Sequence, residues 1–249
     1  MIFYIATLFP EMFQGYLQSS IVARSIREKS NQVHLIDFRE YAQDKHKSCD
    51  DAPYGGGPGM LLKPEPLAGA LDAIDAANRR VVYLTPSGRL FCQAYAEELA
   101  REESLVLICG HYEGLDQRVI DLFVSDEISV GDYVLFSGEV AAMVIMDAVA
   151  RRIEGVIRPE SLQEESFSRA LLEYPQYTRP AEFRGLRVPE VLISGHHEQI
   201  RRWRLRESLK KTWKNRPDLL RRAELSPEEE EMLEIIMGEE NDNESNTSR

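Results

Sequence analysis

Three stretches of this chain combine bare backbone with side chains that can hold or polarise a small molecule. Tyr83-Leu-Thr-Pro-Ser-Gly-Arg89 and Gly110-His-Tyr-Glu-Gly114 each leave a strand-like apolar run, and Val130-Gly-Asp-Tyr-Val-Leu135 leads into Phe136-Ser-Gly-Glu139, which opens a helix. Glycine at such turns leaves room for a nucleoside or amino-acid moiety and exposes amide and carbonyl groups. A single turn of this kind does no more than reverse the chain. Three of them in one α/β segment point to a small-molecule site, because ligands of parallel sheets bind beyond the carboxyl ends of the strands. The Gly-x-Gly-x-x-Gly fingerprint of dinucleotide folds is absent, which argues against a nicotinamide oxidoreductase.

A fourth stretch, Asp44-Lys-His-Lys-Ser-Cys-Asp-Asp-Ala-Pro-Tyr-Gly-Gly-Gly-Pro-Gly-Met60, packs four glycines and two prolines into residues 53–59. No Gly-Lys-Ser/Thr follows, so it is not a P-loop. It reads either as a solvent loop or as a backbone that a base or phosphate can approach, with Lys45, His46 and Lys47 favouring a polyanion. Arg151 and Arg152 follow an apolar helical stretch. They serve either to compensate the helix dipole or to meet an anion forming on a substrate. Glu164 and Glu165 precede Ser166-Phe167 in a polar segment, where a carboxylate is either solvated or a general base ordered by substrate. His196 and His197 are adjacent, do not share a helical face and lack spaced partners, so they read as a helix start rather than a metal site.

The elements that must position these residues follow from periodicity. Residues 2–8, 33–38, 80–85 and 104–109 read as strands, the last a continuous apolar run suited to a buried parallel strand. Helical patterns span 11–29, 64–77, 90–101, 115–123 and 138–153. This alternation predicts a mostly parallel α/β sheet, which the segments alone would make open and doubly wound. Prolines 159, 175 and 180 and the polar run 161–168 suggest a linker with one short helix, and residues 190–237 read as helices. In the helix after His197, Leu205, Leu209 and Trp213 form an apolar stripe, with Arg201, Arg204 and Lys211 on another side.

The net charge of −12 over 249 residues argues against nucleic acid until its distribution is considered. Residues 196–223 carry ten Lys or Arg against three acids, whereas residues 226–249 carry nine acids and one base. The basic stretch suits an RNA backbone, and the acidic end, low in hydrophobics from 239 onward, predicts a disordered tail. No apolar run reaches membrane-spanning length. The N-terminus reads as a strand rather than a signal peptide, and three scattered cysteines fit a reduced, cytoplasmic protein.

Taken in order, nine segments resemble the TrmD family of bacterial tRNA (guanine-N1)-methyltransferases. They are Leu8-Phe-Pro-Glu-Met-Phe13, Asp44-Lys-His-Lys47, Asp50-Asp-x-Pro-Tyr-Gly-Gly-Gly-Pro-Gly-Met60, Tyr83-Leu-x-Pro-x-Gly-Arg89, Gly110-x-Tyr-Glu-Gly114, Gly131-Asp-Tyr-Val-Leu135, Asp147-Ala-Val-Ala-Arg151, Pro175-Gln-Tyr-Thr-Arg-Pro180 and Ser194-Gly-His-His-Glu198. The set is collinear over residues 1–213, and its order is what makes it specific. The resemblance implies a SPOUT-type domain over 1–157 with a C-terminal trefoil knot. An interdomain linker over 158–180, a helical tRNA-binding domain over 181–238 and a disordered acidic tail over 239–249 complete the organisation.

By the same resemblance, S-adenosylmethionine is held by Tyr83, Leu84, Pro86, Gly110, Tyr112, Val130, Gly131, Asp132, Tyr133, Val134, Leu135 and Gly138. Lys45, His46, Arg201, Arg204 and Lys211 meet tRNA. The family is a homodimer with its active site between subunits, and it is linked with a magnesium requirement for which the sequence offers no ligand cluster. Its substrate is the guanosine immediately 3′ of the anticodon. Guanine N1 is protonated at neutral pH, so a base must take that proton and a cation must meet charge moving onto O6. The resemblance assigns Glu165 and Arg151 to these roles, with Glu113 as a third catalytic residue. Three positions depart from the family pattern: Glu165 stands where Asp is usual, Ser137 replaces the first glycine of Gly-Gly-Glu, and Glu173 stands where Asp is common. A non-catalytic RNA-binding protein on this scaffold and a ribose 2′-O-methyltransferase are the competing readings. A ring N–H target is what favours a nearby carboxylate.

Overall fold

The computed structural model describes residues 1–28, 31–158, 165–167 and 169–247, with side chains through 239. Two compact units divide the chain, 1–158 and 159–249.

The first unit is built on five strands: β1 (Ile2–Thr7), β2 (Gln32–Asp37), β5 (Arg80–Leu90), β6 (Ser104–Ile108) and β7 (Asp126–Ser129). They form one sheet in the order β2-β1-β6-β5-β7, with every pairing parallel. Strand β6 has neighbours on both sides, and Leu105, Val106, Leu107 and Ile108 are wholly buried. Its alternation sends Leu105 and Leu107 into one core cluster and Val106 and Ile108 into another. That is why an unbroken apolar run, rather than an alternating one, marks this strand. A two-stranded ribbon, β3 (Asp50–Asp51) with β4 (Leu61–Leu62), closes the base of the Gly-rich loop.

Helices α1 (Gln14–Leu17), α2 (Ser20–Arg27), α3 (Pro64–Ala73), α4 (Gln93–Leu99), α5 (Gln117–Phe123) and α6 (Gly138–Ala150) connect the strands. The helical pattern over 11–29 is not one helix. It breaks into a 3-10 turn at Pro10–Phe13, α1 and α2, and Ser20 takes a positive φ of 56° between the last two. Serine competes for backbone hydrogen bonds and weakens helix interiors, so the consecutive Ser19 and Ser20 start a new helix rather than continue the old. Helix α6 is the most deeply packed: Ala141, Ala142, Ile145, Met146 and Val149 all enter the core shared with β1, β5 and β6.

The second unit contains a hairpin, β8 (Glu182–Phe183) with β9 (Leu186–Arg187), and helices α7 (Glu190–Ile193), α8 (His197–Asn215), α9 (Pro217–Leu220) and α10 (Pro227–Thr247). Leu209 and Ile236 are buried, with Leu205, Trp213 and Met232 packed around them, so the predicted stripe of α8 is its core face. His196 is the N-cap and His197 opens the helix. Two expectations change here. The helices do begin at 190, but the helical domain expected over 181–238 opens on the hairpin, whose Arg184 and Gly185 both take positive φ as a tight two-residue turn demands. The acidic segment expected to be disordered from 239 continues α10 through Thr247. Packing of Met232 and Ile236 nucleates that helix, and each further residue then adds a hydrogen bond at little cost. Residues 159–164, part of the expected linker, lie outside the described residues.

Candidate active site

Strands β6, β5 and β7 are neighbours and parallel, so their carboxyl ends lie side by side. Two of the turns singled out above leave the ends of β6 and β7, the third is an excursion within β5, and together they line a cavity of about 280 Å³. Tyr83, Leu84, Pro86, Gly110, Tyr112, Val130, Gly131, Tyr133, Val134, Leu135 and Gly138 all line it. Of the residues expected at a cofactor, only Asp132 stands outside the lining, exposed on the same loop. Glu113 also faces the cavity.

Local structure explains each wall. Strand β5 pairs with β7 twice, through Leu84↔Ile128 and again through Arg89↔Ile128, so residues 85–88 are extruded between the two registers. Thr85 and Pro86 become one wall as a result. Gly88 has no room for a side chain there, since a Cβ would strike the backbone of Glu127 and Ile128. The start of α6 forms another wall. The Gly138 amide donates to the Gly110 carbonyl at 2.8 Å, and a Cβ on Gly138 would stand 2.5 Å from the Gly110 nitrogen and 2.8 Å from Cys109 Cα. Both obstructing atoms are backbone and cannot yield. Tyr83 is buried beneath the cavity, and burial, reinforced by nearby Glu127, raises its phenol above the ordinary range.

Ser137, noted above as a departure from the family pattern, also lines the cavity, as do His111 and Ser129, which were given no role from the sequence. The His111 ring lies edge-on to Tyr112 at 4.5 Å and tilted against Phe9 at 5.1 Å, and its Nδ1 is buried with no hydrogen-bond partner among the described residues. It occupies the variable position of Gly-x-Tyr-Glu-Gly, so motif matching passed over it. Behind the wall, Glu139 and Thr7 are wholly buried, and the Thr7 hydroxyl donates to Glu139 Oε1 at 2.6 Å. Nothing local in the sequence pairs residues 132 apart.

The Gly-rich loop reaches this region through Gly59, where a Cβ would collide with the Glu113 side chain, so glycine there makes space for the carboxylate. Lys45 and His46 sit exposed on the preceding turn. Asp44 organises that turn by accepting from the amides of His46 and Ser48 at 3.0 and 2.9 Å.

Arg151 does not line the cavity. It follows the last turn of α6, roughly 20 Å along the helix from Gly138 at 1.5 Å per residue. There it borders a separate shallow cleft with Tyr16, Gln93, Met143, Val144, Asp147 and Ala148. Tyr16 donates to Asp147 Oδ1 at 3.2 Å, and burial together with that carboxylate raises the phenol's pKa. Its neighbour Arg152 pairs with Glu97 at 2.7 Å.

In the second unit, Glu165 borders a cavity of about 630 Å³ with Arg169, Tyr174, His197, Glu198, Arg201 and Arg204 among its walls. Glu198, exposed and hydrogen-bonded by Arg201, titrates below the ordinary carboxylate range. The basic residues of α8 are engaged more than charge counting suggested. The Arg204 guanidinium lies 4.9 Å from the Tyr174 ring centre, and Lys211 Nζ donates to the Glu173 carbonyl at 2.9 Å. Among the described residues no group of three His, Cys, Asp or Glu converges as a metal site, and no helix is long and apolar enough to cross a membrane.

Comparison with known proteins bears directly on this arrangement. Residues 1–222 match the family model described as tRNA (Guanine-1)-methyltransferase TrmD. The chain belongs to the TrmD family. A protein of Treponema denticola named tRNA (guanine-N(1)-)-methyltransferase is 57% identical over 221 residues, covering 89% of this chain and 91% of its own. Proteins of the same name from Treponema pallidum and Moorella thermoacetica are 56% and 54% identical, over 89% and 93% of this chain and 89% and 95% of their own. TrmD membership makes this chain a methyltransferase of the tRNA-modifying class, and S-adenosylmethionine is the methyl donor that the family implies.

Proposed function

We propose that this chain methylates N1 of the guanosine immediately 3′ of the anticodon in tRNA, so maintaining the reading frame. The observation that carries the reading is the convergence of three glycine-bearing strand-end turns on one cavity in a TrmD-family chain. The cradle suits a methyl donor of the S-adenosylmethionine type: Gly110 and Gly138 let backbone close in where side chains would fill the space. Bound there, S-adenosylmethionine supplies an electrophilic sulfonium methyl. The turns 83–86, 110–113 and 130–138 would hold it, in a segment threaded as the SPOUT trefoil knot. The tight crossing of Gly138 on Gly110 supports such threading.

On this reading the chain's own residues manage the proton and the charge. Glu165 accepts the N1 proton of guanine, and the Arg151 guanidinium meets the negative charge that deprotonation pushes onto O6. Glu113, at the cavity wall, completes the catalytic set. Arg151 is separated from the cavity of its own chain by the length of α6. That separation supports a homodimer in which one subunit's Arg151 serves the other's cavity. Exposed Val140 and Val144, one turn apart on α6, offer such a pairing an apolar face. Lys45, His46, Arg201, Arg204 and Lys211 are assigned to tRNA, with 1–157 the catalytic domain, 158–180 the linker and 181–238 the tRNA-binding domain, in the cytoplasm. Magnesium finds no matching donor set among the described residues.

The test is methyl transfer to tRNA transcripts carrying guanine or adenine at the target position. Transfer to the guanine transcript alone, at N1, is expected. Transfer to ribose, or none to either transcript, would overturn the reading.

A further inference from the structure

The family model ends at residue 222, and α10 begins at Pro227 with four consecutive glutamates at 228–231. This helix lies along the most basic element of the chain. Glu228 reaches both Arg201 at 3.6 Å and Arg202 at 3.5 Å on α8, and Glu239 pairs with Arg206. Between them, Ile236 and Met232 pack against Leu209 and Leu205 and fix the two helices in register. Helical geometry explains the choice of partners. Glu228 and Glu239 are eleven residues apart, about 20° on the helix wheel, whereas Glu230 and Glu234 point away by about 200° and 240°. At its N-terminal end α10 is tied down again. Glu229, wholly packed, receives Arg169 at 3.0 Å and accepts from Ser226.

The ion pairs themselves are open to solvent. Arg201, Arg202 and Glu228 are each about half exposed, and Arg206 and Glu239 are exposed by 33% and 49%. Exposed pairs of this kind contribute little to stability. They nevertheless set carboxylates against guanidinium groups that also suit phosphate oxygens, since Arg recognises both; Arg201 in addition donates to Glu198 of its own helix at 2.8 Å. We propose that α10 is a built-in stand-in for RNA phosphates. Glu228 and Glu239 occupy Arg201, Arg202 and Arg206, so any RNA docking on α8 must exchange these carboxylates for its own phosphates. The acidic helix therefore sets how tightly the tRNA-binding unit holds RNA, lowering weak, backbone-only binding below the level at which it competes. The inference rests on the reading of α8 as an RNA-facing helix.

The experiment measures tRNA affinity of the full chain against salt concentration for the Glu228→Gln/Glu239→Gln double variant. The Glu230→Gln/Glu234→Gln variant removes the same charge from the far side of α10. Release of two exposed pairs is expected to tighten binding about fivefold at low salt and to steepen the salt dependence, with the control variant nearer the parent. Thermal unfolding of both variants shows whether α10 stays docked. Should both double variants tighten binding equally, net charge and not occupation of the arginines is responsible, and the proposal fails. Unchanged affinity in the first variant overturns it as well. An Arg201→Ala/Arg202→Ala/Arg206→Ala variant separates the two readings. If it weakens binding while the glutamate variant does nothing, only the stand-in role falls. If it too changes nothing, α8 is not an RNA surface and both readings fall.

Discussion

At the scale of single residues, chemistry and position part company at Arg151. Its type and motif marked it as the cation for a forming anion, and its place at the end of α6, away from the cavity, is what the proposed second subunit would account for. Arg151→Ala is expected to lower turnover about 100-fold, the usual loss of a single charge-stabilising donor, with methyl-donor affinity unchanged. Steady-state kinetics beside calorimetry of donor binding checks this, and a parallel loss of both would refute the role. The glycines were the most legible residues. Gly110 and Gly138 stood out by motif, and the structure supplies the reason, a backbone crossing too close for Cβ. His111 was illegible because its neighbours, Phe9 and Tyr112, come from different parts of the chain.

At the scale of elements, the link between β1 and α6 rests on the buried hydrogen bond from Thr7 to Glu139. The second oxygen of Glu139 is buried with no hydrogen-bond partner among the described residues, so the carboxylate depends heavily on this one donor. Thr7→Val is expected to destabilise the protein by about 1–3 kcal/mol, the cost of leaving a buried polar group unpaired. Thr7→Val combined with Glu139→Leu should recover part of that loss, since both polar partners are then gone. Chemical denaturation reads the two values, and a double variant no more stable than Thr7→Val alone would contradict the account. Strand assignments were legible where burial imposes a pattern, as in the unbroken apolar run of β6. The break of the 11–29 pattern at Ser20 and the double register of β5 were not, because both are settled by what the backbone packs against.

For the whole molecule, the proposed sharing of an active site between subunits, with Arg151 and Glu165 of one site coming from different chains, makes a specific demand on mixtures. An Arg151→Ala chain and a Glu165→Gln chain, each inactive alone, should regain activity when allowed to exchange subunits, because one of the two shared sites then carries both intact residues. Methyl transfer before and after exchange decides it. Persistent inactivity in a mixture shown to contain heterodimers would mean that both residues act within one chain. The charge of the whole, −12, was misleading as a guide to partners, and its division into a basic helix and an acidic one was readable from residue counts. That the two lie against each other was not readable, since the contact between Arg206 and Glu239 spans 33 positions and depends on the apolar stripe between them.

By itself the sequence determined the family, the parallel α/β class and the three turns that meet at the cavity. Those features reside in local residue types and in an order of motifs that survives without knowledge of contacts. Only the tertiary structure decided which side chains share a cavity, which arginine of the pair at 151 and 152 is held by Glu97, and that the acidic helix is spent on the basic one. Those outcomes depend on distances between residues far apart in the chain, and such distances are set by how whole elements pack their apolar faces.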